Sequence, residues 1–266
     1  MITRSRTHTY KFVLSGLLIG WFIKYPAFFH EYINSAVYDY RISFNFFPEF
    51  FKSYYTLAFC YYLPVLTIPV LFYNRVVMHK TFLQIAAGFF CLSSLLLLCH
   101  QATYNDATFN VSFWVSCWLL WYSTNIDSEA EDFEKHLIIL AKLITSLIFV
   151  GGVVGKLTDE WWNGEVLFGI YESFFHHYPF NYLKEEYSFE NQKSIMTILS
   201  KVIIIMELII AIGIFMKERL YFNTIPFLIA GIILFRGWQI ISVIGSLVFL
   251  LTACRPYVKE KLLQSR

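Results

Sequence analysis

HLIILAKLITSLIFVGGVVGK occupies His136–Lys156, and its reading decides the fold class. Between its ends it carries one charge, Lys142, two hydroxyls, and otherwise only apolar or small side chains. A run of about 18 such residues is long enough to cross the hydrocarbon of a bilayer. Backbone N–H and C=O groups cannot stay unpaired there, so a run of this length must be a helix rather than a strand. Working outward, the same criteria place spans at roughly 12–29, 54–74, 81–100, 107–124 and 197–216, and a long apolar stretch over 224–253.

Composition agrees. Of 266 residues, 57% are hydrophobic and only 15% charged, with a mean hydropathy of +0.54. Soluble domains carry about 25% charged residues. The net charge of +2 and the absence of any RNA- or DNA-binding pattern argue against a nucleic-acid partner. The five cysteines, Cys60, Cys91, Cys99, Cys117 and Cys254, lie in or beside apolar runs without CxxC spacing, so neither a disulfide framework nor a zinc site is expected. No metal site is predicted. The N-terminus lacks a short apolar core ending in a small-residue cleavage site and is expected to be retained. The expected fold is an all-α integral membrane protein. It is a single domain over 1–266, a polytopic bundle of seven or eight transmembrane helices, with long outer loops at about 30–53 and 157–196.

Orientation follows from the loop lysines and arginines. Arg4, Arg6 and Lys11 precede the first span, Arg75 and Lys80 flank the turn after the second, and Lys217 and Arg219 follow the sixth. Alternating spans put all three clusters on one side, which is therefore cytoplasmic. The N-terminus is then cytoplasmic and Lys156 lies near the outer face. The basic tail CRPYVKEKLLQSR should also be inside, which requires eight crossings. The last stretch of about 30 residues would measure roughly 45 Å as one helix, and FRGWQ (Phe235–Gln239) can divide it in two.

Charges at membrane depth cost about 2.5–3.5 kcal/mol each, so they pair or serve function. Lys24 falls late in the first span. Lys142 and Lys201 can snorkel to opposite interfaces. Glu207, in IIIMELIIAIG, and Arg236, in ILFRGWQII, have no easy route to water. One reading makes them an ion pair; the other makes them part of a polar pocket with Lys156. Lys156 itself has two readings. As an interfacial anchor it would share an aromatic belt with Trp161 and Trp162. As a partly desolvated amine it would act as a base. His176 and His177 are adjacent and share no helix face. No GxSxG, HExxH or phosphate loop is present, which removes support for hydrolase, zinc-protease and nucleotide chemistry.

FVGGVVGKLTDEWWNGEVLFGI (Phe149–Ile170) resembles the signature of the HTTM membrane domain, shared by vitamin K-dependent γ-carboxylase and many bacterial proteins. Gly152, Lys156, Leu157, Asp159, Trp161 or Trp162, and Gly164 match its pattern in order. LLIGWFIKYPAFFHEYINS resembles the first helix and loop of that family, IMELIIAIGIFMKER its Glu-Leu helix with Glu207 at the acidic position, and LFRGWQIISVIGSLVFLLTA its last helical region. The resemblance implies that Lys156 is the base and admits a reduced quinone as cofactor, which the residues themselves leave open. It adds Glu207 and Arg236 as catalytic partners, and Trp161, Trp162, Asn110 and Gln239 as substrate-binding residues. It also implies residence in a bacterial inner membrane and a protein partner or secreted peptide, as in relatives that mature a sporulation-delaying toxin. Two positions depart from the pattern. The family's Asn-His stands as Asn110-Val111, and a histidine of the last helical region stands as Arg236. The chain stops at Arg266, without the carboxylase's large extracytoplasmic domain, so glutamate carboxylation by this chain alone is not expected. Two functions follow: an enzyme acting on a quinone, lipid or secreted peptide, or a non-catalytic membrane subunit that has lost the family histidines. A transporter ranks below both, since no internal repeat is evident.

Overall fold

The computed structural model describes residues 4–33, 48–72, 79–100, 102–104, 106–128, 130–173, 180–216, 218–235 and 238–264. These residues form helices and turns, with no strand among them. Among the described residues five helices are long and apolar enough to cross a membrane: Arg6–His30, Tyr54–Phe72, Lys80–Leu98, Phe133–Lys156 and Phe189–Met216. The expected span at 107–124 is also a helix, Ala107–Thr124. It falls outside the five because serines, threonines and tryptophans dilute its apolarity. The 224–253 stretch forms two helices, Glu218–Phe235 and Trp238–Gln264. Arg236 and Gly237 between them lie outside the described residues, as do His176, His177 and most of loop 30–53.

In chain order the helices are α1 (Arg4–Ala27), α2 (Tyr54–Tyr62), α3 (Ile68–Phe72), α4 (Lys80–Leu98), α5 (Ala107–Thr124), α6 (Ala130–Gly155), α7 (Asp159–Trp162), α8 (Glu165–Ser173), α9 (Phe180–Glu186), α10 (Phe189–Met216), α11 (Glu218–Phe235) and α12 (Trp238–Gln264). Prolines explain the irregular pieces. Pro26 removes a backbone donor near the end of α1, which continues as a π-helical turn, Phe28–Ile33. Pro64 opens a 3-10 segment, Leu63–Thr67, between α2 and α3, and Thr67 Oγ1 donates to the Pro64 carbonyl at 2.7 Å.

The chain divides into two compact units, Met1–Ala141 with Ile225–Arg266, and Lys142–Thr224. In the first unit α4 packs on α5, and α1 packs on α12. Gly16 and Gly20, four residues apart, allow the second contact. A Cβ at Gly16 would lie 2.4 Å from Phe249 Cβ, and one at Gly20 would lie 2.8 Å from the Ser242 carbonyl oxygen. Small residues at this spacing let membrane helices approach closely where lipid supplies no hydrophobic drive between them. Buried polar groups then tie helix to helix. Tyr10 donates to the Leu83 carbonyl at 2.7 Å, Tyr122 to that of Arg6 at 2.9 Å, and the Thr108 and Ser242 hydroxyls meet at 2.8 Å.

The same unit holds a charge pair that charge counting along the sequence left without a partner. Lys24 Nζ lies 2.9 Å from Asp106 Oδ2, with the two side chains 2% and 7% exposed. Asp106 is also the N-cap of α5, its Oδ1 accepting from the Thr108 backbone N–H at 2.8 Å, and the Tyr32 hydroxyl of the π-turn donates to Oδ2, the oxygen that Lys24 contacts. Every polar group there has a partner, as burial requires.

Candidate functional site

The second unit carries the sequence motif. α6 delivers Lys156 just beyond its last turn, where Lys156 N–H donates to the Val153 carbonyl at 2.9 Å. α10 starts at Phe189 rather than near 197 and carries Glu207. The Lys156 ammonium donates to both carboxylate oxygens, at 2.9 Å to Oε1 and 2.8 Å to Oε2, and more weakly to the Gly152 carbonyl at 3.3 Å. Both side chains are 19% exposed, so water reaches the pair but does not surround it. Gly152 makes room for this arrangement. A Cβ there would press to 3.2 Å from Glu207 Oε2 and 3.4 Å from Lys156 Nζ. The glycine of the motif is thus explained by a carboxylate on another helix.

The residues after Lys156 fold back over it. Thr158 caps α7, its hydroxyl accepting from the Trp161 N–H at 3.4 Å. The Trp161 ring lies over the ammonium, 5.4 Å from Nζ to the centroid, and the Trp162 ring lies 5.2 Å from Lys201 Nζ. Cations over indole faces gain about 0.5–2 kcal/mol, more as water is excluded. Gly164 reverses the chain with φ +75, a left-handed conformation that a side chain rarely adopts. Glu160, on the exposed turn, has its carboxyl held below the usual range by its own backbone N–H and the Thr158 hydroxyl.

The structure therefore brings together Lys156, Glu207 and Trp161, and sets Trp162 beside them on Lys201. Arg236 lies outside the described residues, so its pairing with Glu207 has no counterpart among them; the partner observed for Glu207 is Lys156. Asn110 belongs to the other unit, on α5, and is exposed. Gln239 is on α12. Sequence reading missed the Gly152 carbonyl as an acceptor for the Lys156 ammonium, and missed Thr197 and Ser200 on α10. The signal for the latter pair was available: two hydroxyls one turn apart, seven residues from Glu207 at the nearer end. Among the described residues no cluster of three His, Cys, Asp or Glu is placed to hold a metal ion. In the first unit, Trp21, Phe22, Tyr25, Tyr61, Tyr62 and Val65 line an apolar hollow of about 260 Å³.

Fold and site together define a helical protein with, among the described residues, five helices long and apolar enough to cross a membrane and a lysine–carboxylate pair under a tryptophan. Set against protein-family models, curated proteins and solved structures, the chain matches none of them.

Proposed function

We propose that the chain is an HTTM-like integral membrane enzyme whose base is Lys156 and whose proton store is Glu207. The observation that carries this reading is the two-point contact between Lys156 Nζ and the Glu207 carboxylate, at 2.9 and 2.8 Å. A free lysine at an interface is an ordinary ammonium and no base. Paired with a carboxylate in a half-dry site, it can hand its proton to Glu207 with no change in net charge, leaving a neutral amine. That amine then takes a proton from an acidic O–H or C–H of a substrate held at the outer face. The covering Trp161 ring limits water and suits a substrate with a flat or apolar part. A quinone, a lipid or a secreted apolar peptide fits this description, and the family resemblance admits a reduced quinone as cofactor.

In this reading the five apolar helices, α5, α11 and α12 make eight crossings. Both termini are cytoplasmic, as the basic tail demands, and the Leu157–Met196 segment is outside. The membrane is the inner membrane of a bacterium. A second reading has its own support: Lys156 satisfies Glu207 fully, as a structural pair in a non-catalytic subunit would.

Lys156→Arg separates the two. Arg keeps the charge, the two hydrogen bonds and the contact with Trp161, but it stays protonated and cannot be a base. In a strain lacking the gene, the parent chain restores the lost phenotype. Lys156→Arg, inserted at the parent's level, is expected not to. Full restoration would rule out the base and leave the subunit reading.

A further inference from the structure

We infer that Ser200 and Thr197 of α10 are positioning residues that hold Trp161 over Lys156, so that the helix supplying the carboxylate also sets the cover on the amine. This deepens the reading of the Lys156 site and rests on it only for the consequence in catalysis.

Three observations converge. Ser200 is fully buried, and its hydroxyl donates to the Trp161 carbonyl at 2.6 Å. Thr197, one turn earlier, donates to the Asn163 carbonyl at 2.8 Å and shares its hydroxyl with the Lys193 carbonyl at 3.0 Å. Just after the second of these carbonyls the backbone lies directly on α10: a Cβ at Gly164 would be 2.6 Å from both Thr197 N and Cα. The turn is thus pinned at two points and in backbone contact at a third.

The pins matter because α7 is only four residues long. A helix so short has no stability of its own, since nucleation costs more than one turn returns. Its last carbonyls would also lack partners within the helix. The Trp161 carbonyl already accepts from the Gly164 N–H at 3.0 Å and takes the Ser200 hydroxyl as a second donor. Where Trp161 sits is therefore decided by α10. Ser200 and Glu207 are seven residues apart and share one face of that helix. One face then fixes the carboxylate below the ammonium and the indole above it.

The consequence is measurable as access to Lys156 Nζ. Purified full-length protein in detergent is treated with a water-soluble acetylating ester, and acetylation of Lys156 is followed by mass spectrometry across pH. Lys135 and Lys184, exposed elsewhere in the chain, serve as internal references. Loss of one hydrogen bond shifts the covered population by about fivefold. Ser200→Ala and Thr197→Val should each raise the Lys156 rate about that much against the references. Thr197→Ser, which keeps the hydroxyl, should label like the parent. Glu207→Gln, which frees the amine directly, marks the upper limit. The inference is overturned if folded Ser200→Ala and Thr197→Val label Lys156 at the parent rate, or if Thr197→Ser behaves like Thr197→Val. Should Ser200→Ala not fold, the Thr197 pair alone decides. These rates do not depend on whether Lys156 is a catalytic base, so a failed Lys156→Arg test would leave them standing, and the reverse holds too.

Discussion

Replacing Asp106 with Ala should be among the most damaging single changes in the protein, and more damaging than removing its partner Lys24. Three losses fall on one side chain. Lys24, 2% exposed, would keep its charge with no carboxylate within reach among the described residues. Breaking a buried pair in this way costs about 3–5 kcal/mol. The α5 N-cap, a 2.8 Å bond to the Thr108 N–H, would go as well, at about 1 kcal/mol. The Tyr32 hydroxyl would lose its acceptor, at about 1 kcal/mol or more. Neighbouring losses do not add cleanly, so an expected total of roughly 5 kcal/mol is reasonable, as much as many domains have in all. Lys24→Met differs because Asp106 would retain both the Tyr32 hydroxyl and the Thr108 N–H. About 2 kcal/mol is expected there. The double variant Lys24→Met/Asp106→Asn removes both charges and keeps a capping side chain, and it should be milder than Asp106→Ala. Unfolding of full-length protein in mixed micelles of mild detergent and dodecyl sulfate gives the three values. The reasoning is refuted if Asp106→Ala is no worse than Lys24→Met, or if the double variant is as unstable as Asp106→Ala.

Gly164→Ala should cost roughly 2 kcal/mol or more, because the φ of +75 is strained for a side chain and the Thr197 backbone would have to move. Gly169→Ala, with nothing within 4 Å of its added carbon, should be neutral or stabilising in the same unfolding assay. His100 is buried; its Nδ1 accepts from the Ala102 N–H at 3.1 Å and its Nε2 faces the Ser53 carbonyl at 2.9 Å, so the neutral form is the one that fits. Burial, only partly opposed by the bond to Ser53, holds its pKa below the usual value. The contribution to stability is therefore complete above about pH 6.5 and is lost as pH falls through the lower folded value; an unfolding series from neutral to acid should show this slope in the parent and not in His100→Asn. The Cys91 and Cys117 sulfurs are 3.5 Å apart across α4 and α5, so mild copper-catalysed oxidation should link them within the chain, consuming two thiols, and Cys91→Ser should abolish the link. Failure to form it would put the α4–α5 register in error.

The helical class and the positions of the apolar helices were legible because both depend on local quantities. Run length and the need to pair every backbone group in lipid make LIILAKLITSLIFV a helix whatever surrounds it. For 224–253 the sequence left one long helix and two shorter ones both open, and the structure forms two, Glu218–Phe235 and Trp238–Gln264. The motif glycines, lysine and tryptophans could be picked out as unusual, but not their contacts. Glu207 meets Lys156 across 51 residues of chain, and Asp106 meets Lys24 across 82, the difference between their positions. Which cation a buried carboxylate finds depends on the rotation and register of whole helices, set by contacts such as Phe249 over Gly16. Nothing in its local sequence marks Asp106, and only packing makes it the counter-ion of a buried lysine. Gly152 could be picked out as a motif position, but not the reason for it. Its reason lies in the space that a carboxylate on another helix occupies, and no local property of the sequence encodes that.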